Sequence, residues 1–285
     1  MTNNMWPFTR KKQPRSRSTH PAVAKSWTGQ LVCWRTPGPH TVISGATRSG
    51  KSVASYVILS KLADRQNIAV VGIDPSGILL GPWAELNHLH PWYALGTRPG
   101  DLDHAVDVLT ALVNLMDRRI ADLLVHGVDK ITDFTPGHPA VVVVLEEYAG
   151  LLSALELHDK KAAKTATALV GRLLREGAKV GVSILTILQR PEANILHDRS
   201  QYSRRVTFRL DNADSVRMVA AGATDDAADR VLALAPGRAL LLEAGEQEQF
   251  VTFPNMSYEQ YRSAVRAHPQ TMPEASVYHG QGEEQ

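Results

Sequence analysis

The chain has 285 residues, 44% of them hydrophobic and 21% charged; this ordinary globular usage excludes wholesale disorder, collagen-like and coiled-coil architectures. Its one cysteine, Cys33, excludes a disulfide framework and a cysteine-based zinc site. The net charge of +2 hides a division: residues 1–50 carry eight Lys or Arg and no acid, whereas residues 51–285 carry 23 basic against 29 acidic residues, a net of −6.

Residues 1–25 are rich in Lys, Arg, Ser, Thr and Pro, with little to bury after Met5, Trp6 and Phe8, and read as a disordered basic tail. Such a tail suits a polyanionic partner, either nucleic acid or an anionic membrane surface, or serves only to keep the protein soluble. No apolar run approaches the roughly 20 residues needed to span a bilayer, and no apolar segment follows the basic N-terminus as in a secretory signal. A soluble, cytoplasmic protein is the expectation, consistent with its single thiol.

From Thr41 onward strands alternate with helices. A short apolar strand at 41–44 precedes a helix over 51–63, and a buried strand at 67–73 ends in the turn Asp74-Pro75-Ser76-Gly77. Residues 83–99 hold Pro, Gly, His and three aromatics without periodicity, and read as loop or short irregular strand. Residues 101–125 place Leu102, Val106, Leu109, Leu112, Val113, Met116, Ile120 and Leu123 at steps of three and four, a long amphipathic helix. The β-branched run 140–145 has the character of a strand buried on both faces of a parallel sheet. A helix is expected over 160–178, strands at 182–187 and 205–210, short helices at 214–220 and 225–234, and a late strand pair at 238–242 and 249–253. Ser257 begins a last helix with Gln260 in capping-box position. The alternation predicts a doubly wound α/β sheet, with residues 26–267 as one domain and 268–285 as a flexible tail.

Two motifs carry chemistry. Gly45-Ala46-Thr47-Arg48-Ser49-Gly50-Lys51-Ser52 satisfies G-x-x-x-x-G-K-[ST] between a strand and a helix, the context in which backbone N–H groups and a helix N-terminus cradle phosphates. Lys51 would reach the β- and γ-phosphates of ATP, and the Ser52 hydroxyl would ligate Mg²⁺. The strand 141–145 runs into Glu146 and Glu147, delivering two carboxylates to the edge where ligands of open α/β sheets bind. Glu146 is assigned to the Mg²⁺ shell and Glu147 to the general base that polarises the attacking water. Gln189, at the end of the strand beginning at Val182, suits a γ-phosphate sensor.

The ordered set GATRSGKS, IDPSG, MDRRI, VVVVLEEYAGLL, GVSILTILQRPEA and RRVTFRLDNADS, spanning residues 41–242, resembles the motor domain of FtsK/SpoIIIE-type DNA translocases. The resemblance implies a RecA-like ATPase of the HerA/FtsK class that assembles into a ring, expected to be a hexamer, and moves double-stranded DNA through its centre. It also implies ATP and Mg²⁺ at Lys51 and Ser52, the carboxylate pair at Glu146 and Glu147, and the strand-end amide at Gln189. Lacking membrane spans and a winged-helix module, the chain looks like a pared-down motor of a plasmid, integrative element or phage, with DNA-transfer or membrane proteins among its expected partners.

The chain departs from that pattern at three places. Glu146 stands where the family usually has Asp, Arg48 where the loop usually has Gly, and Ala178 where members often carry a trans-acting arginine. Arg175 and Arg172, one and two near-turns earlier on the same helix face, are the candidate substitutes, with a solvated helix face as the alternative. Two other functions stay open: a protein-secretion ATPase of the type VII class, and a catalytically weak nucleotide-binding adaptor of a partner ring. His88, His90, His104, His126 and His138 form no ligand set at metal spacing. Trp83, Trp92 and Tyr93 are expected to pack a local cluster, and Arg118 and Arg119 to have a structural or interface role.

Overall fold

The computed structural model describes residues 20–86, 91–189, 198–268 and 271–273. In chain order these form β1 (Ala22–Ser26), β2 (Leu31–Cys33), β3 (Thr41–Ser44), α1 (Lys51–Ala63), β4 (Ile68–Asp74), α2 (Gly81–Leu86), β5 (Tyr93–Leu95), α3 (Pro99–His126) and β6 (Ala140–Glu146). Then follow α4 (Tyr148–His158), α5 (Lys160–Glu176), β7 (Val182–Leu188), β8 (Arg204–Phe208), α6 (Ala213–Val219), α7 (Asp225–Leu232), β9 (Arg238–Glu243), β10 (Gln249–Thr252) and α8 (Tyr258–Arg266).

All ten strands join one sheet in the order β2-β1-β10-β9-β8-β3-β7-β6-β4-β5. From β8 to β5 neighbours run parallel; β9, β10, β1 and β2 extend the sheet by antiparallel pairing. The parallel portion is the doubly wound α/β sheet that the alternation predicts. Helices cover both faces. Ala54, Val57, Ile58 and Leu62 of α1 pack with Trp83 of α2 and Tyr261 and Val265 of α8 on one side. On the other, Leu109, Leu112 and Met116 of α3 meet Leu151 of α4, Leu173 of α5, Val216 of α6 and Val231 of α7. Residues 140–145 lie between the two cores and are fully buried, which is why the run is continuous rather than alternating. Burying each such Val or Leu side chain contributes roughly 1.5–3 kcal/mol.

The structure revises three local expectations. Residues 22–25 belong to β1 rather than to a disordered tail: Lys25 pairs with Thr252, and the sheet supplies partners that the segment's composition does not announce. Residues 83–99 take in the last four residues of α2, all of β5 and the first residue of α3; α2 and β5, at six and three residues, are too short to show a period. Near the C-terminus, Thr271 bridges Ala69 and its Oγ1 donates to the Gln66 carbonyl at 2.6 Å, so residue 271 is attached to the sheet rather than free. Residues 1–19 and 274–285 lie outside the described residues, as do His88 and His90.

The three aromatics expected to pack together are divided between the two cores: Trp83 and Tyr93 lie on the α1 side of the sheet and Trp92 on the α3 side. Trp83, Trp92 and Tyr93 are buried; Trp83 Nε1 donates to Tyr261 Oη at 2.7 Å, and Tyr93 Oη donates to the Val70 carbonyl at 2.7 Å. Arg119 is buried too, donating to the carbonyls of Val180 and Pro139, and so ties α3 to the turns that precede β6 and β7. The Ser257–Gln260 capping box closes the start of α8.

His40 adds a pH-dependent contribution to the fold. Its Nδ1 accepts the Ile184 N–H at 3.0 Å, and burial pushes its pKa from the ordinary 6.5 down to about 4. The unfolded chain therefore takes up a proton below about pH 6.5 that the folded chain refuses until about pH 4, and stability falls as pH drops through that window. The loss approaches about 3 kcal/mol at the acid end. Urea midpoints measured from pH 7 to pH 4.5 should fall more steeply for the wild type than for His40→Gln; parallel slopes would contradict the assignment.

Candidate nucleotide site

The sheet register gathers the candidate residues at one edge. Ser44 at the end of β3 is level with Leu188 of β7 and Thr207 of β8, and Glu146 of β6 is level with Ile187. The next residues along each strand are therefore Gly45, Gln189 and Glu147, all at the carboxyl edge. Strand β7 separates β3 from β6, so Gln189 emerges between the phosphate loop and the carboxylate pair.

The loop is fastened on both sides before it enters α1. Gly45 N–H donates to the Leu188 carbonyl at 3.2 Å, and Ala46 N–H to the Arg209 carbonyl at 2.8 Å. The Ser49 carbonyl accepts the Gly237 N–H at 2.9 Å from the turn preceding β9. Gly50, the residue before α1, has φ of 100°, and a Cβ there would lie 2.4 Å from the Gly237 nitrogen. Only glycine meets both requirements. Within the loop Gly45, Ala46 and Ser49 are buried, Thr47 and Arg48 exposed; Lys51 is buried and Ser52 exposed at the first turn of α1.

The electrostatics are those of a cation set among carboxylates. Burial lowers the Lys51 pKa, with Glu147 and then Glu146 opposing the shift, so both carboxylates lie within reach of its charge. Glu146 is pushed up to about 7, first by burial and then by the negative charge of Asp74, against the pull of Lys51. Glu147 is raised by burial; Lys51 and the Gln189 backbone N–H act in the other direction. Glu147 itself has φ of 44°, a left-handed conformation uncommon outside glycine and asparagine, where β6 turns into α4. Backbone strain of this kind concentrates at functional sites.

These residues fit a Mg²⁺-bound nucleoside triphosphate. Ser49 Oγ and Glu147 Oε2 are buried without a hydrogen-bond partner among the described residues, and α1 begins with neither a side-chain cap nor an acidic residue in its first turn. An uncapped helix N-terminus above a buried lysine is an anion site. Ser52 and Glu146 would hold the metal, which when bound neutralises phosphate charge. Glu147 would orient and deprotonate water, and the loop N–H groups with Lys51 would hold the phosphates.

The sequence motifs do not single out Asp74. It is fully buried at the end of β4, level with Leu95 and one position beyond the Ile73–Leu145 pair, hence beside Glu146. Its carboxylate accepts from the N–H groups of Ser76, Gly77, Leu79 and Leu80 and from Ser76 Oγ, at 2.7 to 3.0 Å. The Asp-Pro-Ser-Gly sequence signals the turn but not the charge it places beside Glu146.

Arg175 is not brought to this edge. α5 ends in a short 3₁₀ turn, residues 177–180, that contains Ala178 and feeds the start of β7, the sheet edge opposite Gln189. There Arg175 pairs with Asp198 at 2.9 Å, and Arg172 with Asp117 at 2.7 Å and Glu176 at 3.2 Å.

The fold and this edge define a P-loop ATPase with its carboxylate pair one strand away from the phosphate loop. A protein-family model described as FtsK/SpoIIIE family matches residues 9–245, and the chain belongs to that family. It is 27% identical over 222 residues to the DNA translocase SftA of Bacillus subtilis, covering 73% of this chain and 21% of SftA. Against DNA translocase FtsK 2 of Neisseria meningitidis the identity is 25% over 231 residues, covering 70% and 22%. The chain thus spans about a fifth of these relatives.

Solved structures share the fold. The cytoplasmic domain of the Thermomonospora curvata type VII secretion ATPase EccC superposes with a TM-score of 0.69 at 20% identity, over 93% of this chain and 33% of that one. The pCW3 conjugation coupling protein TcpA, in a monomer form with ATPγS, gives 0.67 at 18% identity, over 88% and 71%. Among the described residues no helix is long and apolar enough to cross a membrane.

Proposed function

We propose that this chain is the motor of an ATP-driven double-stranded DNA translocase that works as a ring, a hexamer being the expected form, in DNA transfer, partitioning or packaging. The observation that carries the reading is the convergence of Lys51, Glu146, Glu147 and Gln189 on one sheet edge in a chain of the FtsK/SpoIIIE family. Its curated relatives SftA and FtsK 2 are named DNA translocases. Lys51 and Ser52 bind Mg²⁺·ATP with Glu146, Glu147 activates water, and Gln189 senses the γ-phosphate.

Arg175 lies on the opposite edge of its own sheet, so it serves only a neighbour's nucleotide, after release from Asp198. A trans arginine of this kind is worth about 10³ to 10⁵ in rate. The basic N-terminal segment acts as a tether that holds DNA at one ring face, since the acidic remainder forbids a generally basic surface. The test is ATP turnover with and without linear duplex DNA, alongside DNA binding by the full chain and by a form lacking residues 1–19. That cut stops short of β1 and leaves the sheet whole. The truncation should weaken DNA binding far more than turnover. Stimulation by a secreted peptide instead of DNA would select the type VII-like reading, and negligible turnover at saturating ATP and DNA the adaptor.

A further inference from the structure

Several arginines of the fold are already engaged. Arg175 and Arg172 are held by acids, Arg204 pairs with Glu243 at 3.2 Å, and the Arg205 guanidinium donates to the carbonyls of Arg199, Tyr202, Val219 and Ala221. Arg48 and Arg209 differ. Both are exposed, and among the described residues neither side chain has a hydrogen bond or an ion pair.

Both also stand at the phosphate loop. Arg48 is its fourth residue and has φ of 61°, the left-handed region in which a glycine would sit without strain. Arg209 leaves the end of β8 with its carbonyl bonded to Ala46 N–H at 2.8 Å, so its backbone is fastened to the loop two residues from Arg48. Two unneutralised guanidinium groups on adjoining backbone, one in a costly conformation, call for an anion.

The charge at the edge gives the anion's identity. Among the described residues one lysine is buried, Lys51, and it faces Glu146 and Glu147, with Asp74 adding a third negative charge beside Glu146. A triphosphate entering here meets more carboxylate than ammonium, and a metal ion removes only part of that repulsion. Guanidinium groups bind phosphate oxygens in a fork, and no lysine or backbone amide reproduces that geometry.

We propose that Arg48 and Arg209 form a guanidinium pair that binds the polyphosphate of the nucleotide held by their own chain. They are binding residues supplied in cis, distinct from any arginine contributed by a neighbour. The proposal rests on the nucleotide-binding reading of the loop.

Equilibrium binding of ATPγS and of ADP tests it without relying on turnover. Arg48→Gly removes the charge and relieves the backbone, so a loss of affinity cannot be put down to a strained loop. Arg48→Gly and Arg209→Gln should each weaken ATPγS binding about tenfold, the scale of one charge-assisted hydrogen bond, and Arg209→Lys should recover part of it. Loss for ATPγS alone would place the pair on the γ-phosphate, and loss for both nucleotides on the inner phosphates; either supports the pair. A double variant that binds both nucleotides within twofold of wild type, while Lys51→Ala does not bind them, would overturn the proposal and spare the site. A wild-type chain that binds neither nucleotide would overturn both.

Discussion

Glu147→Gln should reduce ATP turnover by about 10² to 10⁴-fold while changing ATPγS affinity by less than about threefold. The side chain keeps its length and its place at the β6–α4 turn, and only its capacity to take a proton is lost. General-base catalysis contributes about 10² to 10⁴ in rate, and an orphaned Oε2 beside the phosphate loop is the atom in position to do it. Burial raises the Glu147 pKa toward a range useful for a base, while the Gln189 N–H and Lys51 stabilise its ionised form. Single-turnover rates measured beside binding isotherms separate the two effects. A Glu147→Gln variant that turns over within tenfold of wild type would remove Glu147 from the base role and leave Glu146 as the only other carboxylate of the pair.

Gly50→Ala should abolish nucleotide binding. The added Cβ would lie 2.4 Å from the Gly237 nitrogen and 2.7 Å from its Cα, and φ of 100° is strained for any L side chain. Neither contact is with the far end of a flexible side chain, so relief requires the loop to move away from the turn before β9. That movement breaks the Gly237 N–H bond to the Ser49 carbonyl and shifts the N–H groups that would face the phosphates. A drop of at least about 10²-fold in ATPγS affinity is expected, with the two cores intact, because the collision lies at the sheet edge and outside both. Far-ultraviolet circular dichroism and the urea midpoint check the fold; retained tight binding would mean that the loop has slack absent from this structure.

How far the sequence could be read depended on element length and burial. β3, the phosphate loop and α1 follow from a motif whose fixed positions are demanded by backbone geometry, and residues 51–63 form the helix as expected. β6 was legible because a strand buried on both faces must be apolar throughout, and α3 because 28 residues display many turns of one period. β2 and β5, at three residues each, carry no period at all; sheet pairing places them. β1 was hidden by its setting in a basic segment, although Val23 and Ala24 are buried.

Site chemistry divides along the same line. Lys51, Glu146, Glu147 and Gln189 each end or begin an element that the sequence announces, so their meeting at one edge follows from topology. Asp74, Gly237 and Arg209 reach the site through strand register and loop contacts between residues far apart in sequence, which no local pattern records. Arg175 shows the converse. Its helix face could be read from spacing, but its bond to Asp198 and its position on the far edge required the fold.

Hydrolysis at this edge is proposed to be coupled to duplex DNA. The most direct measurement is the steady-state ATPase rate of the full chain at low salt, with and without linear double-stranded DNA, beside Lys51→Ala. A rate that rises with DNA and disappears in the variant is the predicted result; turnover indifferent to DNA, in a chain that does not bind it, would contradict that coupling.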